Sequence, residues 1–278
     1  MRGVSNRAVM GKQLAALAVL VAVAVTIITP YIWMLMTSFK STREILQNPG
    51  KIIPIDWTLA GYIYVLTKSP FFSWFVNSTI VTVTITAAVI FTSTMTGYVF
   101  SKFKFKGKTA LFWMLLATMM VPYQITMIPQ FLIINELRLY NTLWALIVPE
   151  LVTAFGIYLC RQFCDEIPDS LCEAAVIDGA GPFKIYRMVI LPLLKPCIGA
   201  LSIFTFLDIW NEYLKPLIML NEVKRMTLPL ALAFFSDARN HDIGAIMSAS
   251  TLIMLPTTVI LLILQKQFIK GIAITGMK

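Results

Sequence analysis

The chain has 278 residues, of which 58% are apolar and only 13% are charged, and its mean hydropathy is +0.78. A soluble globular chain is about 25% charged, so this composition excludes an ordinary soluble protein and predicts a polytopic membrane protein. The formal net charge of +9 could suggest nucleic acid as a partner. The basic residues are instead dispersed among apolar runs of membrane length, which is typical of cytoplasmic loops, and no nucleic acid partner is expected.

Six apolar runs are each long enough to cross about 30 Å of hydrocarbon, which needs roughly 20 helical residues. In chain order they lie near 14–36, 72–100, 109–133, 141–160, 196–219 and 244–264. The first run is too long for a signal-peptide core, so we interpret it as a retained anchor. The predicted fold is all-α and integral to the membrane, with an N-terminal segment at 1–13, a transmembrane domain at 14–264 and a tail at 265–278.

The distribution of lysine and arginine predicts the orientation. Fourteen of the 23 basic residues lie before the first run, between runs two and three, between runs four and five, or in the tail. They are Arg2, Arg7, Lys12, Lys102, Lys104, Lys106, Lys108, Arg161, Lys184, Arg187, Lys195, Lys266, Lys270 and Lys278. By the positive-inside rule, both termini and the segment 161–195 are expected to be cytoplasmic.

The polar segment 161–195 separates runs four and five and predicts a helix–turn–helix. Ser170, with Glu173 three residues later, forms a capping-box pattern at a helix start. Gly179 is expected to end this short helix in the left-handed conformation, and Pro182 is suited to open a second helix. The residues alone leave two roles open, an ordinary surface connection or a docking element for a partner.

Residues 173–192 (EAAVIDGAGPFKIYRMVILP) resemble the EAA loop of permease subunits in ABC importers, both in residue types and in spacing. The candidate coupling residues are Glu173, Ala174, Ala175, Asp178, Gly179, Leu191 and Pro192. Val189 stands where the pattern has Ile, which is a conservative departure. The resemblance implies that this loop is the coupling helix that docks on a separate ATPase subunit.

Other segments are similar to the carbohydrate-type branch of these permeases, which includes permeases for maltose, other oligosaccharides and glycerol phosphate. They include 30–40 (PYIWMLMTSFK), 97–107 (GYVFSKFKFKG) and 210–213 (WNEY), and more weakly the tail at 268–276. The resemblance implies a type I ABC importer (MetI-like) permease fold with six transmembrane helices and cytoplasmic termini, in a bacterial or archaeal plasma (inner) membrane. It also implies a heterodimer with a homologous permease, two ATPase subunits that carry ATP and Mg, an extracytoplasmic solute-binding protein and a sugar substrate. No cofactor and no enzymatic activity are expected on this chain.

Ionisable residues within lipid are costly unless they face a cavity or a partner, so each is a candidate functional position. Asp208, Asn211, Glu212 and Lys215 are spaced i, i+3, i+4 and i+7, which predicts one face of a continuous helix. That face can line a transport pathway, or it can join the helix to a neighbour, with Lys215 pairing with Glu212.

Glu150 falls near the centre of the fourth run. In the third run, Tyr123 and Gln124 lie between Pro122 and Pro129, where a broken helix can expose substrate contacts. These three residues complete the candidate pathway set. A packing role is favoured for four further polar residues, namely Asn77, Ser78, Thr82 and Thr86.

Other classes of function have little support in the residues. The four cysteines lack a second ligand pair and the lone histidine, His241, is far from them, so no metal site is expected and the thiols are predicted to be reduced. No HExxH, Gly-x-Ser-x-Gly or P-loop motif supports a membrane enzyme, and no inverted repeat supports an ion-coupled transporter. An ABC permease for another solute, such as glycerol phosphate, a polyol or an amino acid, remains the main alternative.

Overall fold

The computed structural model describes residues 3–236 and 242–275, and these residues form helices and contain no β-strand. Arg2, His241 and residues 276–278 of the predicted tail lie outside the described residues. The α-helices are α1 (Gly3–Thr37), α2 (Thr42–Gln47), α3 (Ala60–Lys68), α4 (Phe71–Lys102), α5 (Lys108–Thr118), α6 (Tyr123–Glu136), α7 (Trp144–Ile147), α8 (Ala154–Asp165), α9 (Asp169–Ile177), α10 (Pro182–Ile185), α11 (Leu191–Leu193), α12 (Lys195–Trp210), α13 (Leu214–Met219), α14 (Leu228–Leu232) and α15 (Ile243–Thr275). Shorter turns of 3₁₀-helix lie at Val148–Glu150, Val223–Arg225 and Ala233–Ser236, and a π-helix lies at Tyr186–Ile190.

Four helices among the described residues are long and apolar enough to cross a membrane, and they correspond to predicted runs one, two, four and six. They are Gln13–Thr37, Phe71–Lys102, Trp144–Asp165 and Ile243–Ile263. The third run forms a bent pair of helices, with an angle of 96° between α5 and α6. In the fifth run, α12 forms a second bent pair with Pro182–Leu193 of the preceding polar segment, with an angle of 76° between them. The total is therefore up to six if each bent pair is one span.

Prolines explain where the third and fifth runs break. Pro122 has extended backbone and directly precedes α6, and proline both lacks an N–H and disfavours helix at the residue before it. Pro129, in contrast, lies inside α6 without ending it. In the fifth run, Pro216 cannot donate to the carbonyl of Glu212, so α12 ends at Trp210 and Pro216 lies in the first turn of the separate helix α13.

The prediction of one continuous helical face from Asp208 to Lys215 was therefore wrong. Asp208 is on α12 and Lys215 is on α13, while Asn211 and Glu212 belong to the connection between them.

The chain divides into two compact units, and the first comprises residues 1–69 and 234–254. Here the segment after α1 is held against the start of α15. The Ser248 hydroxyl donates to the Ser38 carbonyl at 3.1 Å, and the Thr42 hydroxyl donates to Asp242 Oδ1 at 2.5 Å. Asp242 Oδ1 also accepts from the Ala245 N–H at 3.1 Å, and this bond caps the N-terminus of α15.

The second unit comprises residues 70–233 and 255–278, and its core lies where α4, α8 and α12 meet. Close approach of α4 and α8 requires Gly97, because a Cβ there would lie 2.7 Å from Cys160 Cβ and 2.8 Å from the Arg161 backbone nitrogen. Small residues permit such packing between membrane helices. The candidate coupling loop and the candidate pathway residues all belong to this unit.

Candidate functional site

The candidate coupling loop folds as the predicted helix–turn–helix. Gly179 has a φ of +75°, which is the left-handed conformation that glycine adopts without strain. The Asp178 N–H donates to the Ala174 carbonyl at 3.0 Å and the Ala180 N–H donates to the Ala175 carbonyl at 2.8 Å, so the last turn of α9 is closed. Pro182 then opens α10, as predicted.

The predicted capping box is not formed. Helix α9 begins two residues earlier than expected, at Asp169, and Pro168 at its N-cap makes no side-chain hydrogen bond to the helix. Ser170 consequently lies inside the first turn, where its hydroxyl is not at the capping position. The Asp169 carboxylate contributes favourable charge to this helix end instead.

The start of α9 is attached to the end of α4, a connection that the sequence did not reveal. The Lys102 ammonium donates to the Ile167 carbonyl at 2.5 Å and to Asp169 Oδ1 at 2.6 Å, and the Lys102 side chain is only 9% exposed. The hydrogen bond and charge of Lys102 hold the pKa of the Asp169 carboxyl below its usual range. The ion pair is therefore complete at neutral pH and is lost only as the pH falls through that lowered value.

The second half of the loop also contacts α4. The hydroxyls of Thr94 and Tyr186 are 2.9 Å apart, and the Tyr98 hydroxyl donates to the Pro182 carbonyl at 3.4 Å. Tyr186 is buried and starts the π-helix, an irregularity that is frequent at functional sites. Movement of the loop would therefore act directly on α4 as well as on the helices that flank it in sequence.

The exposed side of the loop includes large apolar side chains although the segment as a whole is polar. Ile177 is 86% exposed, and α9 contains no buried residue. Val176 and Phe183 are exposed beside it, and so are the candidate residues Glu173, Ala174, Asp178, Gly179 and Pro192. Ala175 and Leu191 are half-buried and pack on the core. Exposed large apolar side chains outside the apolar runs suit a protein interaction surface.

Apart from Asp208, which is in the last turn of α12, the candidate pathway residues lie at or next to the breaks in the helices. Glu150 ends the 3₁₀ turn between α7 and α8, and Lys215 lies in the first turn of α13. Their side chains form an ion pair that is largely buried, with 19% and 17% of the respective side chains exposed. Lys215 thus pairs with Glu150 and not, as one alternative held, with Glu212.

Glu212 and Asn211 hold the connection between α12 and α13. Glu212 Oε1 accepts from the N–H groups of Leu214 and Lys215 at 2.8 and 3.1 Å, which caps α13. The Asn211 amide donates back to the Leu207 carbonyl at 2.7 Å. These contacts shape the backbone of the break, and within the part of the chain that the structure describes neither side chain forms a hydrogen bond or ion pair with another span.

Tyr123 lies beside the ion pair, whereas Gln124 does not. The Lys215 ammonium is 5.0 Å from the centre of the Tyr123 ring, a cation–π arrangement. The Tyr123 hydroxyl is buried and has no hydrogen-bond partner within the part of the chain that the structure describes. Gln124 is exposed on α6.

Asp208 and Glu150 line one cavity of about 540 Å³ between α4, α8 and α12. Asp208 makes no hydrogen bond or ion pair with any described residue, so its carboxylate differs from that of Glu150.

The polar residues at the start of α4 pack against a loop. The Asn77 amide donates to the carbonyls of Lys224 and Met226 at 2.9 and 3.0 Å, and Ser78 Oγ accepts from the Leu228 N–H at 2.8 Å. The packing role predicted for these two residues is thus confirmed, with backbone as the partner. Thr82 and Thr86 have buried hydroxyls without a partner among the described residues.

All four cysteines are free thiols, and the Sγ atoms of Cys160 and Cys197 lie 3.6 Å apart in the core. Within the described ranges, no group of three or more His, Cys, Asp or Glu side chains could hold a metal ion.

Comparison with known proteins connects this geometry to a family. Residues 89–274 match the family described as binding-protein-dependent transport system inner membrane component. The chain is 30% identical over 259 residues to the arabinooligosaccharides transport system permease protein of Halalkalibacterium halodurans, covering 92% of this chain and 93% of that protein. It is 31% identical to the diacetylchitobiose uptake system permease protein of Streptomyces coelicolor, over 90% of this chain and 84% of that protein.

A solute of another kind is named for a third relative. The sn-glycerol-3-phosphate transport system permease protein of Salmonella typhi is 30% identical, over 83% of this chain and 85% of that protein. Among solved structures, a bacterial ABC transporter involved in the import of the acidic polysaccharide alginate has a TM-score of 0.82 at 23% identity, over 96% of this chain and 99% of that chain. That likeness shows a shared all-helical ABC importer permease fold.

Proposed function

Because the chain belongs to the family of binding-protein-dependent transport system inner membrane components, we propose that it is the permease subunit of an ATP-driven importer. In this proposal the chain forms half of the translocation pathway for a sugar or oligosaccharide that an external solute-binding protein delivers. The relatives named for arabinooligosaccharides and diacetylchitobiose support a sugar over the alternatives of glycerol phosphate, a polyol or an amino acid.

The exposed apolar face of the coupling loop is the observation that carries the proposal. Ile177 is 86% exposed on a helix with no buried residue, yet the loop is fastened to α4 through Lys102. A surface that is apolar on its outer side and rigidly attached on its inner side suits a docking element that transmits force. The ATPase would bind this face, and closure of the ATPase dimer on ATP and Mg would move α4 and the broken helices as alternating access requires.

The proposal includes an assembly and an orientation. The chain would pair with a homologous permease, two ATPase subunits and the solute-binding protein, in a bacterial or archaeal inner membrane. Six spans with the bounds expected from the sequence would place both termini and the loop 161–195 in the cytoplasm, in agreement with the distribution of basic residues. ATP hydrolysis would belong to the partner, so this chain is not proposed to be an enzyme.

The experiment is to purify the tagged chain from native membranes in mild detergent and to identify what is recovered with it. A related permease and an ATPase are expected with the native chain. The ATPase should be lost from Glu173→Lys, which reverses a charge on the exposed face, and from Gly179→Pro, since proline cannot adopt a φ of +75°. Recovery of a stable chain with no ATPase in any preparation would refute the importer and would favour an ion-coupled transporter.

A further inference from the structure

Four lysines lie within seven residues where α4 ends and α5 begins, in the segment 102–108 (KFKFKGK). The sequence supplies no local counter-charge, because no acidic residue occurs between Asp56 and Glu136. The positive-inside rule accounts for the side of the membrane on which such a segment lies. It does not decide what the ammonium groups bind, and in this respect the four lysines differ.

Two of the four lysines are engaged by the protein, and two are not. Lys102 pairs with Asp169, and the Lys108 ammonium donates to two carbonyls at the end of α4, at 2.9 and 3.0 Å. Lys104 and Lys106, in contrast, are exposed and form no hydrogen bond or ion pair with any residue that the structure describes. Two ammonium groups are therefore available to a partner.

The carboxylates that face this segment do not balance its charge. The hydrogen bond and charge of Lys102 lower the pKa of the Asp169 carboxyl most, and the charges of Lys104 and Lys108 lower it further. One carboxylate thus faces three ammonium groups. Asp165, which accepts from the Ser101 hydroxyl at 2.6 Å, is already paired with the Arg161 guanidinium. The segment retains an excess of positive charge.

Aromatic contacts hold the segment against both helices. Phe103 has extended backbone, and its ring meets that of Tyr98 edge to face, with centres 5.3 Å apart. The rings of Phe105 and Phe100 are 5.9 Å apart, and Phe100 in turn lies 5.5 Å from Phe112 of α5. The backbone that carries the two exposed lysines is therefore fixed on the ends of two membrane helices.

The connection is too short to leave the membrane surface. Helix α4 ends at Lys102 and α5 begins at Lys108, and Leu111 of α5 is already an exposed apolar side chain of the third run. Three helical residues rise about 4.5 Å, whereas the headgroup layer on each side of the hydrocarbon is roughly 5–8 Å thick. Trp113, which is also exposed, is of the type enriched at this boundary. The two exposed lysines therefore lie at the level of the lipid headgroups.

The chemistry of this layer identifies the partner. Ammonium groups form strong, charge-assisted hydrogen bonds with phosphate oxygens. In a zwitterionic lipid the phosphate is already compensated by the amine of its own headgroup, whereas an anionic phospholipid carries an uncompensated charge. Basic clusters next to a membrane helix accordingly favour anionic lipids.

We propose that Lys104 and Lys106 form a binding site for the phosphate of an anionic phospholipid, next to the attachment of the coupling loop to α4. The two ammonium groups would bind the phosphate oxygens, and exposed apolar side chains of α5 would contact the acyl chains. This inference rests on the proposed function only for the orientation of the chain. It goes beyond that function because it assigns a lipid partner that does not depend on the transported solute.

The test measures which lipid lies beside the two lysines in the complete importer, reconstituted with its partners in nanodiscs. The reporter is a bimane label on Thr109→Cys, an exposed position in the first turn of α5, with Ala110→Cys as a second reporter. Cys172→Ser leaves only buried native thiols in the chain, and a sample without the reporter cysteine gives the background. The discs contain a fixed mixture of phosphatidylglycerol and phosphatidylcholine, with a nitroxide at carbon 5 of an acyl chain on one lipid or the other.

Quenching should show that phosphatidylglycerol is preferred over phosphatidylcholine about twenty-five-fold at low ionic strength, since each lysine near an anionic headgroup contributes about fivefold. Lys106→Gln should reduce the preference to about fivefold, and the double variant Lys104→Gln/Lys106→Gln should reduce it to about one. The matched control Lys51→Gln/Lys224→Gln removes two exposed lysines of other connections and should leave the preference unchanged. Salt at about 0.5 M should weaken the preference by screening.

Three results would overturn the proposal. They are equal quenching by the two lipids with the native lysines, a preference that persists in Lys104→Gln/Lys106→Gln, and an equal loss of preference in the control variant. Recovery of the ATPase is measured first for every variant, so that failure of the lipid site is distinguished from failure of the importer assignment. Loss of the ATPase from Lys104→Gln/Lys106→Gln, without any lipid preference in the native chain, would assign the two lysines to ATPase binding instead.

Discussion

Truncation of Ile177 to alanine is expected to weaken ATPase docking without destabilising the chain itself. Ile177 is 86% exposed at the end of α9, and none of the core residues of the second unit packs against it. Its side chain therefore contributes little to folding and can contribute fully to an interface.

The magnitude follows from the apolar surface that the partner would cover. The substitution removes about three carbon atoms, each worth about 0.8 kcal/mol when buried, so the loss is about 2 kcal/mol and roughly thirtyfold in affinity. Ile128→Ala provides a matched control, because Ile128 is also largely exposed but lies on α6, far along the chain from the loop.

The assay is titration of the purified ATPase against the chain in nanodiscs, with thermal unfolding of each variant recorded in parallel. Ile177→Ala should raise Kd about thirtyfold and leave the Tm unchanged, whereas Ile128→Ala should change neither. An unchanged Kd for Ile177→Ala, or equal effects of the two substitutions, would refute the assignment of this face as the docking surface.

Further predictions concern attachment, ion pairing and packing. Lys102→Met removes the attachment of the loop to α4, so the amount of solute transported per ATP hydrolysed should fall roughly fivefold, the effect of about 1 kcal/mol. Binding of the ATPase should persist. An unchanged ratio of solute to ATP would contradict this coupling route. Glu150→Gln and Lys215→Met should each destabilise the chain by about 3 kcal/mol in thermal unfolding because each leaves one buried charge unpaired, and the double variant should be more stable than either single one; strictly additive losses would argue against the pair. Gly97→Val should lower the free energy of unfolding by about 1–3 kcal/mol because it overpacks α4 against α8. Gly50→Ala should leave it unchanged, because nothing lies within 4 Å of a Cβ added there. Equal stabilities of the two variants would disprove the close packing.

The turn of the coupling loop could be predicted because local chemistry decides it. Gly179 and Pro182 adopt the conformations expected from their own backbone preferences, so the helix–turn–helix followed from the sequence. The predicted start of α9 lay too far along the chain, because the contact between Lys102 and Asp169, which are distant in sequence, fixes the first turn. No local pattern contains that contact.

The arrangement of the pathway residues, in contrast, depends mainly on contacts between residues that are distant in sequence. Periodicity predicted one polar face through span five, but Pro216 breaks the helix and Lys215 pairs with Glu150, which is 65 residues away in sequence. The position of Asp208 and Glu150 within apolar runs identified both as candidates, because a charge within lipid is visible in the sequence alone. Their aromatic neighbours were not identified, since Phe155 and Phe204 look like ordinary membrane residues until the packing of α8 and α12 brings them together.

The most direct test is solute uptake by the complete importer in proteoliposomes that contain ATP and the solute-binding protein. We expect accumulation of an uncharged disaccharide that requires ATP and Mg on the ATPase side, is abolished by Gly179→Pro and is indifferent to a proton or sodium gradient. Uptake that proceeds without ATP and follows an ion gradient would contradict the account.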